Sequence, residues 1–149
     1  MFQKHVNEEL GIGVIGKISR NNPVTSVPRI TEDDGFKLGA VAFLGTDPET
    51  QVVSKKEGAK SILGFVISTY NLGTALNYST EIRRGDEVQI ILKGYLYASL
   101  ASDSKYGDSV FVNPKTGELK AGTFTEAVDT GFKVERGGKA GETIEIYKI

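Results

Sequence analysis

Three times in this chain a glycine is followed by an acid, any residue, an apolar residue, any residue and a second apolar residue. The copies are Gly85-Asp86-Glu87-Val88-Gln89-Ile90, Gly107-Asp108-Ser109-Val110-Phe111-Val112 and Gly141-Glu142-Thr143-Ile144-Glu145-Ile146. Each reads as a turn that feeds a strand. Glycine supplies the positive φ that a tight turn requires, and a short acid can hydrogen-bond its own turn. The apolar residues then share one face, because side chains alternate along a strand. A chain that repeats this phrase is built from strands and turns. The copies are unevenly spaced, so they mark strands of one sheet system and not a solenoid period.

The rest of the chain agrees. Lys37 to Leu44, Gln51 to Ser54, Val128 to Glu135 and Thr143 to Ile149 read as strands. Ile62-Leu63-Gly64-Phe65-Val66-Ile67 is a continuous apolar run, too short for a typical helix and rich in β-branched residues, which predicts a buried strand. The longest signal is Val88 to Leu100, and Gly94 inside it predicts a bulge or sharp bend. Asn113-Pro114-Lys115-Thr116-Gly117 joins two short strands as a hairpin, with proline and glycine placed for the turn. Lys55 to Lys60 and Asn71 to Thr80 are loops, and Glu126 to Asp129 is the one short stretch with helical character. The expectation is an all-β single domain, a jelly-roll-like sandwich or small barrel of about eight short strands. Residues 1–30 are expected as an extended N-terminal arm with room for one edge strand, because Pro23 and Pro28 exclude a helix there, and residues 31–149 as the β domain.

Composition removes several kinds of chemistry. At 149 residues one domain can bury a self-sufficient core. With no cysteine, disulfides, thiolate zinc sites and cysteine nucleophiles are excluded. The 18 basic and 19 acidic residues leave a net charge of −1, which gives no support to nucleic-acid binding. No stretch approaches the roughly 18 apolar residues that span a bilayer, and the N-terminus lacks a signal-peptide pattern, so a protein made and used in solution is expected.

The motifs that could carry chemistry are weak on their context. Gly11-Ile12-Gly13-Val14-Ile15-Gly16 spells the dinucleotide fingerprint, but that mechanism needs a strand before it and a helix after it. Asn7-Glu8-Glu9 stands where the strand should be, and Asn21-Asn22-Pro23 ends any helix early. The alternative is an apolar segment that lies flat against another surface. His5 is the only histidine, near the terminus, so a triad or imidazole zinc cluster is excluded. Glu32-Asp33-Asp34 and Asp103-Ser104 offer oxygens for calcium without the spacing of a calcium loop. Tyr95 and Tyr97 share one strand face, either a binding surface or an ordinary aromatic sheet face.

The order of the pieces is more telling than any one of them. A glycine-containing apolar stretch, Gly11 to Gly16, is followed by prolines, then by the strand at Lys37 to Leu44 and the Ile62 to Val66 segment. Arg84-Gly85-Asp86-Glu87-Val88 leads into the long strand. Gly107-Asp108-Ser109-Val110-Phe111-Val112-Asn113 with Thr116-Gly117-Glu118-Leu119 follows, and Ala140-Gly141-Glu142-Thr143-Ile144-Glu145-Ile146 closes the chain. In this order the chain resembles the structural cement proteins, small capsid decoration proteins of tailed bacteriophages. The resemblance implies a jelly-roll-like β fold, no enzymatic activity and no cofactor. It also implies binding to the outside of an assembled head, at junctions between major capsid protein subunits. The protein would be made in the host bacterial cytoplasm and self-associate as a dimer or trimer. The arm, with Phe2, Ile12, Val14, Ile15, Val24 and Val27, is the candidate contact with the capsid or a sister subunit. A small phage tail or baseplate component, or a lectin-like β binding domain, is the alternative.

Overall fold

The computed structural model describes residues 14–20, 23–68 and 82–149. Nine strands run through them. These are β1 (Thr25–Thr31), β2 (Val41–Leu44), β3 (Gln51–Val53), β4 (Gly64–Ile67), β5 (Glu87–Ser99), β6 (Ser109–Val112), β7 (Leu119–Ala121), β8 (Val128–Arg136) and β9 (Thr143–Lys148).

The thirteen-residue β5 belongs to two sheets at once. Its first half pairs with β1 on one edge, as in Val27 with Ile90, and with β4 on the other, as in Val66 with Ile90. The order β1-β3-β2-β4-β5, with β1 returning to β5, closes a five-stranded barrel. The second half pairs with β9, and the sheet continues through β8 and β6 to β7. The fold is therefore a small closed barrel with a second sheet that grows out of one of its staves.

A bulge beside Gly94 makes this double membership possible. Thr25 pairs with Lys93 and Ser26 with Ile91, which leaves Leu92 as an extra residue on β5. Before the bulge Ile91 faces the space between the sheets; after it Leu96, Ala98 and Leu100 do. The buried face has changed from odd to even numbers, as one inserted residue must produce. Gly94 has φ +134°, and a Cβ there would stand 3.0 Å from Ile91 Cδ1 and 3.2 Å from Val24 Cγ2.

Alternation sorts the core into two. Ala42, Val52, Val66, Val88 and Ile90 form one cluster with Phe36, which fills the barrel. Val41, Phe43, Phe65, Ile67 and Ile91 turn outward and pack with Leu96, Val110, Val112, Phe132, Val134, Ile144 and Ile146 of the second sheet. Phe65 and Phe132 meet edge to face, with ring centroids 4.7 Å apart. Strand β4 is buried at all four positions because each of its faces meets a core, which explains its continuous apolar sequence. A Cβ on Gly64 would lie 2.1 Å from the Ile91 carbonyl oxygen, so β4 and β5 approach closely only with glycine there.

Three segments differ from their sequence expectation. The strand expected over Lys37–Leu44 starts at Val41, because Gly39 has φ +82° and Ala40 N–H closes a turn onto the Lys37 carbonyl. Glu126 takes φ +63°, in the left-handed region, so the helical character at 126–129 gives way to a turn before β8. The edge strand allowed for in the arm is β1, but it pairs with β3 on one side and β5 on the other and so is not an edge. Val27 alternates inward onto the barrel core, and β1 supplies the pairing that closes the ring.

Candidate functional site

The segment before β1 is held on the molecule by its backbone. Gly16 N–H donates to the Tyr97 carbonyl at 2.9 Å, Tyr97 N–H to the Lys17 carbonyl at 3.0 Å, and Ser19 N–H to the Tyr95 carbonyl at 3.0 Å. Residues 16–19 thus line the edge of β5 opposite β9. Gly16 and Gly39, both left-handed, lock this segment to the turn before β2. A Cβ on Gly16 would come within 2.6 Å of Leu38 Cβ, and one on Gly39 within 2.5 Å of Ile15 Cγ2. The last glycine of the fingerprint-like stretch is therefore used for close packing. Gly11 and Gly13 lie outside the described residues.

Arg20 fastens the far end of the segment. Its Nε donates to Glu145 Oε2 at 3.0 Å, and its Nη2 to Glu145 Oε1 and Glu135 Oε1 at 3.2 Å each. Ser19 Oγ donates to Glu145 Oε2 at 2.5 Å. The guanidinium lies 4.5 Å over the Tyr95 ring, which stacks on Tyr147 at 5.2 Å. Burial pushes the Glu145 carboxyl up. The hydrogen bonds from Arg20 and Ser19, with the Arg20 charge, outweigh this and hold it below its ordinary value. The hydrogen bond to Glu145 likewise raises Arg20. The tyrosine face is thus engaged by this latch around Tyr95.

The acids of the repeated phrase are turn-formers. Asp86 Oδ2 accepts from Arg83 N–H at 2.8 Å, Asp108 Oδ2 from Lys105 N–H at 2.9 Å, and Glu142 Oε1 from Lys139 N–H at 2.6 Å. Gly85, Gly107 and Gly141 take φ of +90°, +89° and +84°, as the third residue of a type II turn does. The other acidic clusters are divided in the same way. Glu32 accepts from Thr46 N–H and Oγ1, which lowers its pKa, while Asp33 accepts from Ser54 and Asp34 from Arg84 N–H. Asp103 accepts from Ala140 N–H at 2.9 Å. Among the described residues no three acids or histidines converge on a common point.

The candidate contact residues separate by exposure. Val14 is 53 % exposed, whereas Ile15 is half-buried beside Gly39. Val24 packs on the core between the sheets and Val27 on the barrel core. Phe2 and Ile12 lie outside the described residues, as does His5. Beside Ile15 runs an open groove. Two depressions that share Lys37, Ala40 and Gly117 make it continuous, from an apolar end at Ile15, Leu38, Leu100 and Leu119 to a polar end at Lys55. The groove and the Arg20–Glu145 latch had no sequence signature, since their parts lie far apart along the chain.

The family described as "Structural cement protein (E217 gp24/Pam3 gp6)" matches residues 2–148. No curated protein matches by sequence. Among solved structures, a chain of the capsid of Myoviridae phage XM1 is similar with a TM-score of 0.70 at 13 % identity, covering 98 % of this chain and 96 % of that one. The N base of head fiber gp8.5 of bacteriophage phi29 is similar with a TM-score of 0.51 at 11 % identity, covering 85 % and 95 %. At these identities the likeness is one of fold.

Proposed function

This chain belongs to the structural cement protein family, and we propose on that ground that it is a capsid decoration protein, which binds the outer surface of the assembled phage head at junctions between major capsid protein subunits and stabilises it. Membership itself implies a structural, non-enzymatic role in the capsid. The family match over residues 2–148 is the observation that carries the proposal.

The physics of such a role needs no reaction. A protein that binds the assembled lattice better than its free subunits stabilises the lattice by mass action, by RT ln(1 + [L]/Kd) per site. Many sites act together, so each contact can be modest. The double-sheet core provides the rigid body for this, and the turns and loops around it are the surfaces on offer. Val14 is exposed and continuous with Phe2 and Ile12 in sequence, so this end of the chain is the proposed contact. Ile15, Val24 and Val27 would instead anchor it to the body. The test is co-sedimentation with expanded, undecorated heads. Saturable binding is expected, and failure to bind any such head would remove the proposal.

A further inference from the structure

We propose that the groove beside Ile15 receives the Glu8–Ile12 segment of a second copy of this chain. The match is one of chemistry along the length of the groove. Its apolar end is formed by Ile15, Leu38, Leu100 and Leu119. Lys37 and Lys55 line its polar part and make no ion pair among the described residues. The carboxylate on that wall, Glu118, is engaged by Lys120 at 3.4 Å. The groove therefore asks for an extended segment that is acidic at one end and apolar at the other. The chain carries such a segment: Glu8-Glu9-Leu10-Gly11-Ile12.

The length of chain before the groove allows exchange between copies. Thirteen residues precede Val14 in the sequence, next to Ile15 on the groove wall. Fully extended they would reach about 45 Å, longer than the groove that the segment would fill. In a two-fold pair each copy would give one segment and receive one. The second insertion would then be intramolecular and favoured by effective concentration. This is a statement about the free protein, and it stands or falls separately from head binding.

The chain has no cysteine, so engineered pairs report cleanly. Full-length Leu10→Cys protein is mixed with full-length Ala101→Cys protein and oxidised; Ala101 is exposed and lines the apolar end. A disulfide between the two chains is expected. Glu8→Lys with Glu9→Lys should lower its yield about tenfold, and Lys37→Glu with Lys55→Glu in the receiving chain should restore it. Sedimentation equilibrium of the chain without cysteines is the second measurement. It should show a reversible dimer whose dissociation constant rises about tenfold with the same Glu8 and Glu9 reversals. Indifference to charge reversal, or a monomer at all concentrations, would overturn the proposal. So would a cross-link that forms only within a chain carrying both cysteines, or only to capsid protein when heads are added.

Discussion

Gly64 and Gly85 are both glycines, but for different reasons, and the difference is measurable. Gly85 needs its positive φ and has open space around it, so Gly85→Ala should cost about 1–2 kcal/mol of backbone strain. Gly64 is pressed against the Ile91 carbonyl, so Gly64→Ala must separate β4 from β5 and should cost more, about 3 kcal/mol. Chemical denaturation of the two variants checks the order. Glu145 gives a second test. Its folded pKa is depressed below the unfolded value, so its charged form contributes stability above the ordinary value of 4.5, and that contribution is lost as pH falls through the folded pKa. Wild type should exceed Glu145→Gln in melting temperature at neutral pH, and the gap should close in acid. A gap independent of pH would show that the Arg20 latch does not work through this charge. The turn acids were legible in sequence because a turn closes over four residues. The latch was not, since Arg20 and Glu145 are 125 residues apart and Glu145 occupies an outward strand position that ordinarily faces water.

Among the elements, the glycine in β5 was legible as a bend, and the structure gives it a larger part. The bulge beside it lets one strand serve both sheets. The start of β2 was not legible, because Gly39 and Ala40 fit an alternating strand as well as the local turn that Ala40 N–H closes onto the Lys37 carbonyl. The place where the N-terminal stretch joins the body was hidden as well. Nothing local in Thr25–Thr31 announces that it closes a barrel against β5. This yields a prediction from two truncations. Removing residues 1–13 should leave the β-type circular dichroism spectrum and the melting transition in place, while lowering head binding. Removing residues 1–28 also takes away Arg20 and half of β1, exposes the edge of β5, and should abolish the cooperative transition. If the longer truncation melts like the full chain, the barrel does not depend on β1.

Strand content and turn chemistry were readable from the three Gly-acid phrases for the protein considered entire. Ring closure was not, because it depends on β1 and β5 finding one another across the sequence. The resemblance in the order of motifs extended further than any local signal and coincides with the family match over residues 2–148. The proposed action on the head is a linkage effect, so it has a definite signature in the shell. Calorimetry of expanded, undecorated heads across a series of added protein concentrations measures it directly. The head transition should rise with concentration and level off when the sites are full. A head transition that stays unchanged while the protein is demonstrably bound would contradict a cementing role.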